Sequence, residues 1–442
     1  MFQTLRKAWG VPEIRKKILY TLFMIILFRF GCAVAVPYLN SDVVKTWMDT
    51  KASDGGFLDY MNTITGGAMS QATMFSLSIT PFINASIIMQ LLTYALPPLE
   101  RMRDEGEEGR KKIEKITAVV AMVLAFVMSY AYYITLKGSG TNAVKYPSGA
   151  EGYFAMAVII FCLVAGAMIV VWMGNRISDK GIGNGISMLL FAGIAARFPV
   201  DAGTLLQLTS NSIKNNENGK YLFVTIGYVI FIIAEIAFIV LMNEAERRIP
   251  IQYAKRVVGR KQYGGQKTHI PIKVIMSGVM PIIFAMSLMS LPQTVQLFAG
   301  EPTKTEGFYY HFCHFFNTRS FSYAVIYFLL IIAFNYFYVS IQYNPIEIAN
   351  NLRQSNGGIP GIRPGKPTSD YIQRVLNKIS LVGAVFLGII AIVPIFISMA
   401  DPQLSSLSMG GTTILIAVSV ALETTRVLES HLMMRHHKGF LK

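Results

Sequence analysis

The stretch FLDYMNTITGGAMSQATMFSLSITPFINASIIMQLLTYAL, residues 57–96, decides the fold. Gly66-Gly67 ends a short apolar piece at 57–65, and an uncharged segment from about 74 to 96 follows. That segment is long enough for a bilayer, which takes about 20 helical residues. It carries Pro81 near its middle and is rich in polar side chains, which are expected to face protein or water because hydrocarbon disfavours them. A broken half-length helix before a polar-faced helix is typical of a membrane pathway.

The composition indicates a polytopic helical membrane protein. The chain has 442 residues, is 53% hydrophobic and only 15% charged, whereas a soluble domain has about 25% charged residues. Its three scattered cysteines form no CxxC, which argues against a disulfide framework. The first apolar segment, Ile18 to Val36, follows a basic start and is predicted to be a retained helix rather than a cleaved signal.

Ten membrane spans are predicted, five on each side of a polar external loop at 201–220. An odd number per half gives the two halves opposite orientations, which is the inverted-repeat architecture. Pro81 and Pro281, both expected inside the second helix of their half, support the repeat. The predicted fold is an all-α polytopic membrane protein with ten transmembrane helices, arranged as two inverted five-helix halves, 1–200 and 221–442, around a central pore. The spans are expected at about 18–37, 74–96, 117–136, 153–173, 184–198, 221–243, 274–291, 322–341, 379–399 and 411–428.

The distribution of basic residues sets the orientation. Alternate loops hold 30 lysines and arginines on one side and 9 on the other, with Arg29 inside the first span. By the positive-inside rule, both termini are predicted to be cytosolic. This asymmetry accounts for much of the net charge of +15, which in a soluble protein would suggest nucleic-acid binding.

Few residues carry recognisable chemistry. The sequence has no P-loop, HExxH or GxSxG motif. His311, Cys313 and His314 match no zinc spacing, so neither a metal nor a cofactor is predicted. Glu235 is the only acidic residue near the middle of a span. It is either a helix-contact carboxylate or the coupling group of an ion-coupled small-solute transporter, which stays open as the alternative to a passive conduit.

An apolar stripe runs along the second predicted helix. Ile79, Ile83 and Ile87 recur at i+4 and share one face. Packing alone would explain that stripe, but similar residues occur in the second and fifth helices of both halves, which an inverted repeat places around one axis. A ring of branched apolar side chains would gate by dewetting and show no ion preference. The predicted ring consists of Ile83, Ile87, Ile186, Leu190, Ile283 and Ile416.

Two cytosolic loops are longer than topology requires. The loop 244–273 carries eight basic residues, and the loop 343–378 carries five around GGIPGIRPGKPTSDY. Long loops are usually functional, and protruding basic segments suit RNA phosphates or an acidic protein partner.

Over nearly its whole length, the sequence resembles the SecY family, the channel subunits of the general protein translocon. GIRPG and PFINASIIMQLL are together highly specific. The stretches that carry the resemblance are GGAMSQATMFSLSITPFINASIIMQLL (66–92), EGEEGRKKI (105–113), GIGNGISMLLFAGI (181–194), QYAKRVVGRKQYGGQKTHIPIKV (252–274), YNPIEIANNLRQSNGGIPGIRPGKPTSDYI (343–372) and GGTTILIAVSVALE (410–423).

The resemblance implies a non-enzymatic channel that passes unfolded secretory polypeptides across the bacterial cytoplasmic membrane and releases transmembrane segments sideways into it. Two halves would close like a clamshell, hinged at 201–220. A plug at about 57–65 would stop the external funnel. A lateral gate would lie between helix 2 and helices 7 and 8, with Asn84 and Gln90 toward it. The family's pore ring falls on Ile83, Ile87, Leu190, Ile283 and Ile416, with Ile186 beside it.

The resemblance also implies partners. A SecE subunit would clamp the halves, and a SecG subunit usually accompanies it. The basic loops resemble docking sites for the SecA motor ATPase and the ribosome, marked by Lys255, Arg256 and Arg260 in the first loop and Arg363 in the second. Signal sequences, nascent chains and the lipid bilayer complete the expected contacts. The external loops 201–220 and 292–320 match the family poorly.

Overall fold

The computed structural model describes residues 2–52, 62, 65–138, 142–214, 220–253, 256–258, 261–263, 267–299, 307–317, 320–400 and 411–438. These residues are mostly helical. Six helical stretches within them are long and apolar enough to cross a membrane: Glu107–Gly138, Ala150–Lys180, Gly185–Gln207, Thr225–Glu244, Phe321–Gln354 and Lys366–Ile397. A seventh is the bent pair Thr80–Ala95 and Pro97–Asp104, whose axes differ by 98°.

The N-terminal half contains eight helices whose bounds are described, and residues 65–79, which precede the fourth of them, are not helical. Residues 65–79 form a series of turns, and they are mostly buried. The helices are α1 (Phe2–Trp9), α2 (Pro12–Gly31), α3 (Ser41–Ala52), α4 (Thr80–Ala95), α5 (Pro97–Asp104), α6 (Glu107–Gly138), α7 (Ala150–Lys180) and α8 (Gly185–Lys214).

The C-terminal half combines helices with a small three-stranded sheet and a two-stranded pair. Strand β1 pairs antiparallel with β4 along its length and with β5 at its end, and β2 pairs with β3. In chain order the elements are α9 (Lys220–Glu244), β1 (Glu246–Tyr253), β2 (Arg256–Val258), β3 (Lys261–Tyr263), β4 (Lys267–Lys273), α10 (Met280–Ala299), α11 (Phe308–Phe315), α12 (Phe321–Gln342), α13 (Pro345–Gln354), β5 (Gly357–Gly358), α14 (Lys366–Ala400) and α15 (Gly411–Lys438).

The second helix of each half starts later than the sequence predicts. The expected starts at about residues 74 and 274 are wrong, because α4 begins at Thr80 and α10 at Met280. Pro81 and Pro281 therefore lie in the first turn of their helices and not inside them. Proline fits this position because the amide N–H that it lacks would have no helical partner there.

Several segments predicted as loops are ordered. The charged stretch 99–116 forms α5 and the start of α6, and α8 extends to Lys214 through much of the predicted loop 201–220. The loop 244–273 contains the antiparallel pair β1–β4, and α13 and the start of α14 lie within 343–378. Asn344 caps α13 by accepting hydrogen bonds from the backbone N–H groups of Ile346 and Glu347.

The apolar core is divided between the halves. Two clusters contain only buried residues from the N-terminal half, such as Leu163 and Leu189. Two others contain only residues from the C-terminal half, such as Ile331 and Ile249. Smaller clusters join the halves, one at the centre and one where α1 and the start of α2 pack against the end of α15. Each half therefore has a core of its own.

Candidate functional site

One apolar cluster gathers the second and fifth helices of both halves. Its buried members are Ile194 of α8, Ile283 of α10, and Ile416, Ala417 and Val420 of α15. Ile83 of α4 packs against them. The four helices that an inverted repeat places around an axis do meet there, through branched apolar side chains.

The predicted ring residues divide into two groups. Ile83, Ile283 and Ile416 meet in the central cluster, whereas Leu190 and Ile186 belong to the neighbouring cluster of the N-terminal half, which Ile83 also contacts. Ile87 is buried one turn along α4.

Sequence reasoning missed Ile194 and Phe191, which are also in the central cluster. The signal for Ile194 was available, since Ile186, Leu190 and Ile194 continue the same i+4 spacing.

The second helix of the predicted five-helix set in each half, α4 and α10, begins with matching backbone geometry. Ser78 and Gly278, each two residues before its helix, have φ values of 46° and 60°. The backbone N–H of Ile83 donates to the carbonyl of Ile79 at 3.0 Å, and that of Ile283 donates to the carbonyl of Val279 at 3.2 Å. The equivalent positions are 200 residues apart in the chain. Two ring residues thus sit in the first turn of matching helices.

The turns before α4 are held by hydrogen bonds that replace a helical ladder. Asn62 accepts from the backbone N–H groups of Ser70, through its Oδ1, and of Gly67, through its carbonyl. Tyr132 of α6 donates to the carbonyl of Met69 at 3.0 Å. Ser76 donates to the carbonyls of Ala68 and Thr73. The polar residues predicted to face protein here do so. Of the predicted plug at 57–65, only Asn62 and Thr65 lie within the described residues.

Two arginines lie at the Gly66-Gly67 turn. A Cβ on Gly66 would lie 2.5 Å from a terminal nitrogen of Arg29 and 2.8 Å from the carbonyl oxygen of Gly193, and Arg197 flanks Gly67. With φ values of 67° and 84°, both glycines occupy the left-handed region that other residues rarely adopt. The turn therefore brings the residues after the predicted plug directly against α2 and α8.

Both predicted gate residues, Asn84 and Gln90, lie on α4. Asn84 is half-buried, and its Oδ1 has no hydrogen bond within the described part of the chain. The side-chain amide of Gln90 donates to Ser86 Oγ at 3.5 Å within α4. The rings of Tyr94, in the last turn of α4, and Phe337 of α12 meet at 5.7 Å between centroids.

Basic residues of the segments 244–273 and 343–378 lie close to the ends of helices in the C-terminal half. Arg363 lines an open cavity of about 370 Å³ with Lys366, Asp370 and Arg374, at the start of α14. At the base of the hairpin, burial and the charge of Arg426 lower the pKa of Lys273. Arg426 in turn donates to the carbonyl of Asn243 at 2.8 Å, which ties the base of the hairpin to α9 and α15.

The loop 244–273, which the sequence predicts to be a docking loop, is described only in part. Lys255 and Arg260 lie outside the described residues, and Arg256 lies in β2. Glu235, the alternative coupling residue, is buried on α9. Its carboxylate Oε2 makes no hydrogen bond among the residues that the structure describes.

Comparison with known proteins identifies this architecture. The sequence profile of SecY matches residues 73–425. The chain belongs to the SecY family. It is 38% identical to the protein translocase subunit SecY of Thermotoga maritima, over all of this chain and 98% of that relative. It is therefore a multi-span membrane protein and the protein-conducting channel subunit of the Sec translocon, and not an enzyme. This excludes the ion-coupled carrier as its activity.

Solved channels share the fold. A SecY structure whose plug domain is described as stabilising the closed state superposes with a TM-score of 0.66, at 19% identity and over 96% of both chains. A canine Sec61 channel in complex with a ribosome superposes with a TM-score of 0.62, at 18% identity and over 96% of both chains. The SecY fold has ten transmembrane helices.

Proposed function

We propose that unfolded secretory polypeptides pass through the central apolar cluster, and that transmembrane segments leave sideways between α4 and the pair α10 and α12. The observation that carries this proposal is the meeting of four helices, two from each half, at Ile83, Ile194, Ile283 and Ile416. Branched apolar side chains at a constriction exclude ions by dewetting and can spread around a large substrate. Ile87, Ile186 and Leu190 extend the ring along α4 and α8.

The same proposal assigns the halves and the plug. Residues 1–200 and 221–442 move as two bodies, and 201–220 is the hinge between them. The separate cores support this, because each half can shift without uncovering its own buried side chains. Residues 57–65 stop the external funnel. The hydrogen bonds of Asn62 to the turns before α4 provide the plug with an anchor.

The cytosolic surface binds the partners that supply the driving force. The hairpin with Lys255, Arg256 and Arg260, and the cavity around Arg363, dock the SecA motor and the ribosome, the latter through RNA phosphates. The basic lining of the cavity, Arg363, Lys366 and Arg374, supports an anionic ligand. SecE and SecG complete the complex, which lies in the cytoplasmic membrane of a bacterium with both termini in the cytosol.

The ring is tested by ion leak through reconstituted channels. Ile283→Asn and Ile416→Asn should raise the leak and relax signal-sequence selectivity, since an amide side chain holds water in the constriction. Ile283→Leu, which keeps the apolar character, is the matched control and should stay sealed. Leak unchanged by both asparagine variants would show that the constriction lies elsewhere.

The docking site is tested by motor-driven export in membrane vesicles. Arg363→Glu should reduce export, because it reverses the charge at the mouth of the cavity. Arg353→Glu makes the same charge change on α13, outside the residues that line the cavity, and should have a smaller effect. Equal losses in the two variants would mean that only the overall loop charge matters.

A further inference from the structure

Among the contacts that join the two halves in the described part of the chain is one aromatic pair, at the cytosolic end of the α4–α12 seam. The rings of Tyr94 and Phe337 lie 5.7 Å apart at their centroids and are inclined by 74°, an edge-to-face arrangement. Such pairs stabilise a contact beyond the area that they bury. Tyr94 belongs to the last turn of α4 and is 39% exposed. This contact joins the halves where a laterally moving helix would have to part them.

A cation covers the same tyrosine. The chain turns by 98° between α4 and α5, at Pro97, and this turn carries Arg103 back over α4. Its guanidinium carbon lies 4.7 Å from the centroid of the Tyr94 ring. Glu100 and Asp104 hold the guanidinium at 3.8 and 3.4 Å. The tyrosine ring is thus fixed by a charge from its own half and by a ring from the other half.

We propose that Tyr94, Phe337 and Arg103 form a latch that sets how apolar a signal sequence must be to open the lateral gate. This inference rests on the proposed gate between α4 and α12. The latch is weak, since a partly exposed aromatic pair changes an equilibrium only about two- to tenfold. It therefore opens for an apolar helix that supplies replacement packing to the two rings. A polar segment supplies none and leaves the latch closed.

Removing either ring should lower the selectivity of the channel. With Tyr94→Ala or Phe337→Ala, export of a substrate with a weakened signal sequence should rise about two- to tenfold. Tyr94→Phe keeps the edge-to-face ring and should restore the rejection of that substrate.

The chain provides a matched control. Phe126 of α6 and Phe161 of α7 form an edge-to-face pair with the same centroid distance, 5.7 Å, but within one half. Phe126→Ala should leave the rejection of the weakened signal unchanged. If Tyr94→Ala and Phe126→Ala behave alike, the latch is rejected.

The arginine is tested through its dependence on the tyrosine. Arg103→Gln should raise export of the weakened substrate about twofold, the size of an exposed cation–π contact. In a channel that already carries Tyr94→Ala, the same substitution should add nothing, because its partner is gone. An equal effect in both backgrounds would show that Arg103 acts apart from the latch.

A cross-link separates failure of the latch from failure of the gate. In a channel whose three cysteines are replaced, Tyr94→Cys and Phe337→Cys are joined by a short bismaleimide, and insertion of a transmembrane substrate is measured. The expected result is loss of insertion. Unimpaired insertion by the cross-linked channel would overturn the gate itself. Blocked insertion with alanine variants that keep normal selectivity would reject the latch and leave the gate standing.

Discussion

The segments that lead into α4 and α10 make matching backbone hydrogen bonds but differ in length. The backbone N–H of Met74 donates to the carbonyl of Val34, shortly after α2, at 2.9 Å. The N–H of Val274 donates at 2.9 Å to the carbonyl of Ala245, just after α9. Residue 74 therefore hydrogen-bonds to the chain just after α2, and residue 274 hydrogen-bonds to the chain just after α9.

The carbonyl oxygens of Met74 and Val274 also make matching contacts. Each packs against a glycine in the fourth helix of its half, Gly166 of α7 for Met74 and Gly383 of α14 for Val274. Beyond this point the halves differ. Residues 65–79 form fifteen residues of mostly buried turns, whereas 274–279 is a six-residue bend that follows β4. A few backbone contacts are therefore common to the starts of α4 and α10, although the preceding segments differ. The chain upstream differs between the halves, since it forms buried turns before α4 and the strand β4 before α10.

Gly166→Ala should have the largest effect, because the added Cβ would overlap the carbonyl oxygen of Met74, and neither backbone can easily move. We expect a destabilisation of about 3 kcal/mol, measured as a fall in the melting temperature of the purified channel. Gly203→Ala in α8 is the control, since a Cβ there meets nothing within 4 Å. Equal melting temperatures for the two variants would disprove the contact.

Gly383→Ala should be less harmful than Gly166→Ala. Its Cβ would lie 2.6 Å from the carbonyl oxygen of Val274, so a smaller shift of α14 relieves the contact, at a cost of about 2 kcal/mol. The same melting measurement applies, with Gly227→Ala in α9 as the control because its Cβ would have no neighbour within 4 Å. A larger loss than at Gly166 would break the proposed equivalence of the halves.

Gly278→Ala tests the backbone turn before α10. A Cβ at this position meets nothing within 4 Å, and φ is 60°, so the whole cost is conformational. We expect a loss of about 1 kcal/mol. Gly227→Ala in α9 is the reference, since a Cβ there also meets nothing within 4 Å and its φ lies outside the left-handed region. The turn is not needed if the channel with Gly278→Ala melts like the wild type.

Ser78→Gly should have the smallest effect. Ser78 adopts a φ of 46° without being glycine, so the substitution relieves strain of about 1 kcal/mol and adds a similar entropy to the unfolded chain. The expected change in melting temperature is close to zero. A loss as large as that of Gly278→Ala would mean that the Ser78 side chain has a role of its own.

Much of the helical layout could be predicted from the sequence, because hydropathy reports where a segment crosses a membrane. The span expected at 322–341 is α12, Phe321–Gln342. Hydropathy does not report where a helix continues into water. The segment from Glu107 to Ile116 was therefore predicted as a loop, although it begins α6.

The start of α4 could not be predicted in the same way. Local sequence allows helix from residue 74, and the turns that replace it depend on partners distant in the chain, such as Val34 and Tyr132. The same limit applies to the ring. Periodicity identified Ile83 and Ile283, but only packing shows that Ile194, and not Leu190, meets them in the central cluster.

The glycine contacts also order the assembly of each half during synthesis. Met74 is made roughly ninety residues before Gly166, so the turns that carry it enter the bilayer before the helix that covers them exists, although unpaired backbone is costly there. Val274 is likewise synthesised well before Gly383, the glycine that it contacts. The contact of residue 74 or 274 with its glycine can thus form only after α7 or α14 has been synthesised. These contacts are therefore completed at two separate stages of synthesis, once for each half.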